Sequence, residues 1–107
     1  MQTNEATVPV DAYVIDVMMR DLVGHDKKPS AFVVYIHLAV RVEREMKRGI
    51  EASYSAIAAA TGLSKTAVQK AIAHLKMRKL IGILKTSASS TPVYRLNRHW
   101  RQRLRSA

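Results

Sequence analysis

The chain has 107 residues, 48% of them apolar and 24% charged, which suits one domain around one core and not a disordered polymer. It contains no cysteine, which excludes disulfides and thiolate metal sites and makes a reducing cytoplasm the natural setting. The longest apolar run, Ala31 to Ile36, is too short to span a bilayer even when read on through Val40, and the opening MQTNEATVPV lacks the basic start and apolar core of a signal peptide.

Charge is sorted along the chain. In all, 18 Lys and Arg stand against 8 Asp and Glu, a net of +10. Residues 1–50 carry 7 basic and 7 acidic side chains, whereas residues 51–107 carry 11 basic ones and Glu51 alone as an acid, so the whole +10 lies there. Such a half is the electrostatic footprint of a polyanion binder. The plainer alternative is a solvated basic surface that only keeps the protein soluble.

Residues 1–9 are polar and end at Pro9, which predicts an extended start. Asp11 to Val23 reads as a helix with an apolar stripe of Val14, Ile15, Met18, Met19 and Leu22. Tyr13 and Val17 lie off that stripe, so the helix is apolar around much of its circumference. GHDKKP is a loop opened by Gly24 and closed by Pro29. Ser30 to Arg48 is expected to be the longest helix, burying Phe32, Tyr35, Ile36, Ala39, Val42 and Met46 and stopping at Gly49, with Val33 and Val40 facing elsewhere.

Next comes IAAATGLSKTAV, residues 57–68. Alanine favours helix, Gly62 suits a left-handed helix end, and Ser64 can accept a hydrogen bond from a free N–H and start a second helix at once. The spacing therefore predicts a short helix from Ser53 or Tyr54 to Thr61, a turn of about three residues, and a helix from Ser64 to about Arg78. Leu63 plugs the corner, and Ala58 must be small where the helices cross. Val68, Ile72 and Leu75 recur at i, i+4 and i+7 and face inward. Lys65, Thr66, Gln69, Lys70, Ala73 and Lys76 are left outward, on a face with no acidic and no large apolar residue. A slim basic helix edge held from behind is what a major-groove reader needs. IGILK (81–85) and PVYRL (92–96) read as two β-strands around the polar loop TSASST, and the basic tail RHWRQRLRSA closes the chain.

With SYSAIAAATGLSKTAVQKAIAHL, MRKLIGI and the strand pair in view, the sequence resembles the winged helix-turn-helix domains of bacterial transcriptional regulators and plasmid replication initiators. The resemblance covers Pro29 to Leu96. It implies a mainly α fold with a small β-hairpin wing, here with an extra N-terminal helix. The expected organisation is one domain, 1–107, comprising an N-terminal arm and helix (1–28), a winged-helix core (29–96) and a basic tail (97–107). It also implies a recognition helix at about 64–78 in the major groove and a wing at 85–95 on the flanking backbone. By position, the DNA-binding residues would be Ser64, Lys65, Thr66, Gln69, Lys70 and Lys76 on the helix, and Lys85, Thr86, Ser87 and Arg95 on the wing. Family members usually have glycine before the Leu-Ile of the first wing strand, where this chain has Lys79. A left-handed backbone there costs a lysine on the order of 1 kcal/mol.

Other residues invite sharper readings and do not support them. His25, His37, His74 and His99 are scattered, without paired-ligand spacing, so no metal is expected. His37 reads as a hydrogen-bonded core or interface histidine, and His74 as either a DNA-backbone contact or solvent-exposed. Asp11, Asp16, Asp21 and Asp26 recur every five residues, a spacing that an α-helix does not gather on one face, so no acid/base pair follows. TSASST lacks a base, and the four glycines do not cluster into a phosphate loop. No enzyme, cofactor or small-molecule ligand is implied. Trp100 reads first as a buried anchor for the tail. Its alternative is stacking or phosphate contact beside Arg98, Arg101, Arg103 and Arg105, which equally fit a basic arm that orders on DNA.

The expected partner is double-stranded DNA and the expected role transcriptional regulation in the bacterial cytoplasm, at the nucleoid. A replication initiator is the alternative within DNA binding, and a winged-helix protein–protein module the alternative outside it. Met18, Met19 and Val17 motivate that module or a dimer surface, and a two-fold homodimer is expected through the N-terminal helix, with Val33 and Val40 as a facing strip, reading half-sites about one DNA turn apart. The competing account is that one monomer consumes both apolar faces.

Overall fold

Short polar caps and left-handed residues set the helix ends. The computed structural model describes residues 7–101. Helix α1 spans Pro29–Glu45, α2 spans Tyr54–Thr61 and α3 spans Lys65–Met77. Ser53 Oγ accepts from the Ala56 N–H at 3.0 Å and starts α2; Ser64 Oγ accepts from the Ala67 N–H at 3.0 Å and starts α3. Between them Gly62 takes a φ of 84° and its N–H donates to the Ala58 carbonyl at 2.9 Å, so the expected turn forms at the expected glycine.

Helix α1 ends three residues earlier than expected. Met46, at φ 55°, is the left-handed cap, and its N–H returns to the Val42 carbonyl. Gly49 serves a different purpose. A Cβ there would stand 2.8 Å from Val93 Cγ1, so glycine leaves room for the Val93 side chain of the paired strand. The buried face of α1 is also turned from the expected one. Ala31, Val34, Tyr35, Leu38 and Ala39 are buried, Phe32, Ile36 and Val42 are only half-buried, and Met46 is 88% exposed. The reason is that α1 packs against α3, α2 and the N-terminal helix together, which centres the covered arc on Val34 and Leu38.

The N-terminal helix is not an α-helix over 11–23. It is wound as a π-helix over Val14–Met18 and Arg20–His25, with the Met19 N–H donating to the Val14 carbonyl and the Asp26 N–H to the Asp21 carbonyl. These i→i+5 bonds widen the turn. Residues four apart then hold the inner face, and Val14, Met18 and Leu22 are buried while Ile15 and Met19 swing outward. The helix also runs through Gly24 to His25, so the loop opens later than expected.

Two strands become three. Ile81–Leu84 (β2) and Val93–Leu96 (β3) form the expected antiparallel hairpin, and Gly49–Glu51 (β1), not anticipated, pairs with the free edge of β3. The order is β1-β3-β2, with Ile50 and Ile83 both opposite Tyr94. Ile50, Ile81 and Tyr94 point into the core beneath α1, where they join Val68, Ile72 and Leu75 of α3. Each such aliphatic side chain contributes about 1.5–3 kcal/mol on burial. Burial also pushes the phenols of Tyr35 and Tyr94 up to about 12.

Lys79, between α3 and β2, has a φ of 61°, the left-handed conformation that the resemblance raised. Its carbonyl accepts from Asn97 Nδ2 at 2.8 Å, and the Leu80 carbonyl accepts from the Asn97 N–H at 2.9 Å, which holds the turn against its cost of about 1–2 kcal/mol. Trp100 is a buried anchor: it stacks on Tyr13 with centroids 4.4 Å apart and donates through Nε1 to Asp11 at 2.7 Å. Arg101 grips the same carboxylate through two bonds of 2.7 Å, and Arg98 lies 3.4 Å from Glu43. The Arg101 hydrogen bond, opposed by burial and aided by Trp100, brings Asp11 down to about 2. Arg103 and Arg105 lie outside the described residues. The result is a mostly helical domain with a small three-stranded antiparallel sheet, and among the described residues no helix is long and apolar enough to cross a membrane.

Candidate nucleic-acid interface

Helix α3 has two faces of opposite character. Val68, Ala71, Ile72 and Leu75 are buried, whereas Lys65, Thr66, Gln69, Lys70, Ala73 and Lys76 are exposed. No acidic residue occurs in it. One correction applies to the outer face: Met77 is 64% exposed, so a large apolar side chain does stand there, at the last residue of the helix. Ser64 is exposed, and its Oγ, held in place as the cap acceptor, keeps its O–H free to donate.

The hairpin supplies a second basic element. A groove of about 300 Å³ separates it from the starts of α2 and α3, and its walls include Ser53, Tyr54, Lys65, Lys85, Ser90 and Thr91. Lys65 and Lys85 are thus brought to one groove. Lys85 Nζ donates to the Ala88 carbonyl at 3.3 Å, and Ser90 Oγ donates to the Ser87 carbonyl at 2.8 Å, so the tip is braced by its own bonds. Thr86 and Ser87 are exposed on it. Arg95 does not join them. It lies on β3 between Gly49 and Gly82, which offer no side chain opposite it, and lines a separate groove of about 450 Å³ with Lys76 and Lys79.

His74 is turned to the protein interior and not to solvent. Its Nε2–H donates to Asp26 Oδ2 at 2.8 Å, and its side chain is 13% exposed. Asp26 also accepts from His25 Nδ1 at 2.8 Å and sits 2.9 Å from Arg78 Nε. The hydrogen bond from His25, then that from His74, outweigh burial and with Arg78 lower Asp26 to about 2. Asp21 reaches the same guanidinium at 3.9 Å. The five-residue acid spacing therefore does gather two of its members, because π winding makes residues five apart neighbours. Between them the two carboxylates are tied to His74 and Arg78 and to none of the lysines of the outer face of α3. His37 is half-buried, without the hydrogen bond expected of it among the described residues, and burial, with Arg41 and Arg44, lowers its pKa.

Lys27 and Lys28, not among the residues expected at the interface, border the other flank of α3 beside Thr66 and Lys70. The available signal was a lysine pair directly before a helix-starting proline. The surface proposed for pairing also changes. Met18 is buried and Val17 half-buried, so the exposed strip of the N-terminal helix is Ile15, Met19 and Val23, at 37–44%. Comparison with family models, curated proteins and solved structures found no match to this chain.

Proposed function

We propose that this chain is a sequence-specific double-stranded DNA-binding protein of the winged helix-turn-helix type, acting as a transcriptional regulator in the bacterial cytoplasm. The observation that carries the reading is α3 itself: an exposed edge of lysines, threonine and glutamine, free of acid, fixed from behind by four buried side chains. A helix about 10–12 Å across fits a major groove about 12 Å wide. Gln69 is suited to adenine and Lys65 or Lys70 to guanine. Lys85 and the serines of the hairpin would meet flanking phosphates, with Lys76, Lys79 and Arg95 as further backbone contacts. A replication initiator would use the same face on an origin in place of a promoter. The exposed Ile15, Met19 and Val23 favour pairing of two copies through the N-terminal helix, and also keep a protein–protein module in view.

Selection of bound sequences from random duplex DNA tests this. The expected product is an enriched motif with two-fold symmetry and half-sites about 10–10.5 bp apart. A pool that stays random after selection would contradict the reading.

A further inference from the structure

The exposed arc of α3 has two edges, and each borders a basic groove. On one edge Lys65 faces Lys85 and the hairpin. On the other, Thr66 and Lys70 face Lys27, Lys28 and Ser30 across a cavity of about 300 Å³ at the start of α1. We propose that this second cavity is a phosphate-binding site, and that in the DNA complex it holds a backbone phosphodiester of the strand opposite the one met by the hairpin. The inference rests on the DNA-binding reading above for its ligand's source, though not for its chemistry.

Its chemistry is that of a phosphate cradle. Lys27, Lys28 and Lys70 bring three ammonium groups, Ser30, Ser64 and Thr66 bring hydroxyls, and no carboxylate lines the walls. None of the three lysines makes an ion pair among the described residues, whereas Arg41, Arg78, Arg98 and Arg101 all do. The nearest carboxylate in sequence, Asp26, is consumed by His25, His74 and Arg78 and does not neutralise the lysine beside it. No side chain caps the first turn of α1.

The backbone fixes where Lys27 stands. Lys27 has a φ of 56°, unfavourable for a residue with a long side chain. It is sustained from both sides, by the anchored Asp26 before it and by the Lys28 N–H donating to the Leu22 carbonyl at 2.7 Å after it. This is the left-handed end of the N-terminal helix, as Met46 is of α1. Here it turns Lys27 toward the flank of α3. Because a helix lying in the major groove has one sugar-phosphate strand on each side, a protein with basic grooves on both edges of that helix can grip both strands.

The test uses the full chain carrying Lys27→Gly with Lys28→Ala. Glycine accepts the left-handed backbone, so the melting temperature should equal or exceed that of the wild type. Lys27→Asn with Lys28→Gln is a second variant, since asparagine also tolerates this conformation. On the selected duplex, the slope of log K against log salt should shrink in magnitude by about 2, from two lost phosphate contacts. Phosphate-ethylation interference should disappear on one strand only. An unchanged slope and footprint, with the wild type binding DNA, would overturn the site and leave the DNA reading standing. If the wild type binds no duplex, the DNA reading fails and inorganic phosphate becomes the probe. Amide shifts at Ser30, Ala31, Thr66 and Ala67 that vanish in the variants would establish a site for a small phosphate compound; no shift would overturn it.

Discussion

His74 on α3 and Asp26 at the end of the N-terminal helix share a 2.8 Å hydrogen bond across 48 residues of sequence, which fastens the candidate reading helix to the neutral half of the chain. Asp26 has a lower pKa folded, about 2, than the ordinary 3.8. The unfolded chain therefore binds more protons between these values, so stability is full above about pH 4 and is lost as pH falls toward 2. Asp26→Asn should cost about 1–2 kcal/mol at pH 7, allowing for screening by water at the rim of the cluster. Denaturant unfolding from pH 7 to 2 checks this: the gap between wild type and variant should close in acid, and a gap independent of pH would rule out the ionised carboxylate as its source.

Base reading and backbone gripping should separate by mutation. Gln69→Ala is expected to relax preference at one or two positions and to cost about 1–3 kcal/mol on the preferred site alone. Lys76→Ala or Lys85→Ala should weaken all duplexes alike. Affinities measured across a panel of single-base variants decide it, and identical profiles for the two kinds of mutant would show that the helix face is wrongly assigned.

At Lys79, with a φ of 61°, glycine should relieve strain. Lys79→Gly is predicted to stabilise the fold by up to about 1 kcal/mol, the net of lost strain and gained unfolded-state freedom. A lower melting temperature in the variant would mean that the lysine side chain itself supports the turn.

How much could be read beforehand followed from how local each determinant is. Ser53, Gly62 and Ser64 act on residues within four positions, so the bounds of the helix pair were legible almost to the residue. Trp100 was legible as an anchor, but its partners Asp11 and Tyr13 lie nearly ninety positions away and were not. Strand β1 has 3 residues, too few to show alternation, and its glycine mimics a helix stop. The π winding left no mark in apolar periodicity, because Ile15 and Met19 fit an α stripe as well as Val14 and Met18 do. Of the candidate site, the sequence showed which residues lie on the helix and which on the hairpin, but not that Lys65 and Lys85 line one groove and Arg95 another, because that depends on how the hairpin packs against α2 and α3.

Pairing through the exposed strip of Ile15, Met19 and Val23 predicts a species of twice the 12.0 kDa chain mass at micromolar concentration. Met19→Glu should convert it to monomer by placing a charge in an apolar contact, without touching the core. Light scattering reads both, and a wild type that remains at the mass of one chain with or without DNA would remove the dimer from the account.

Binding of duplex DNA phosphates by this surface would show itself in the salt dependence of affinity. If roughly 5 to 8 lysines and arginines displace counterions, log K for the wild-type chain should fall with log salt at a slope of about −4 to −7. A slope near zero would contradict that binding.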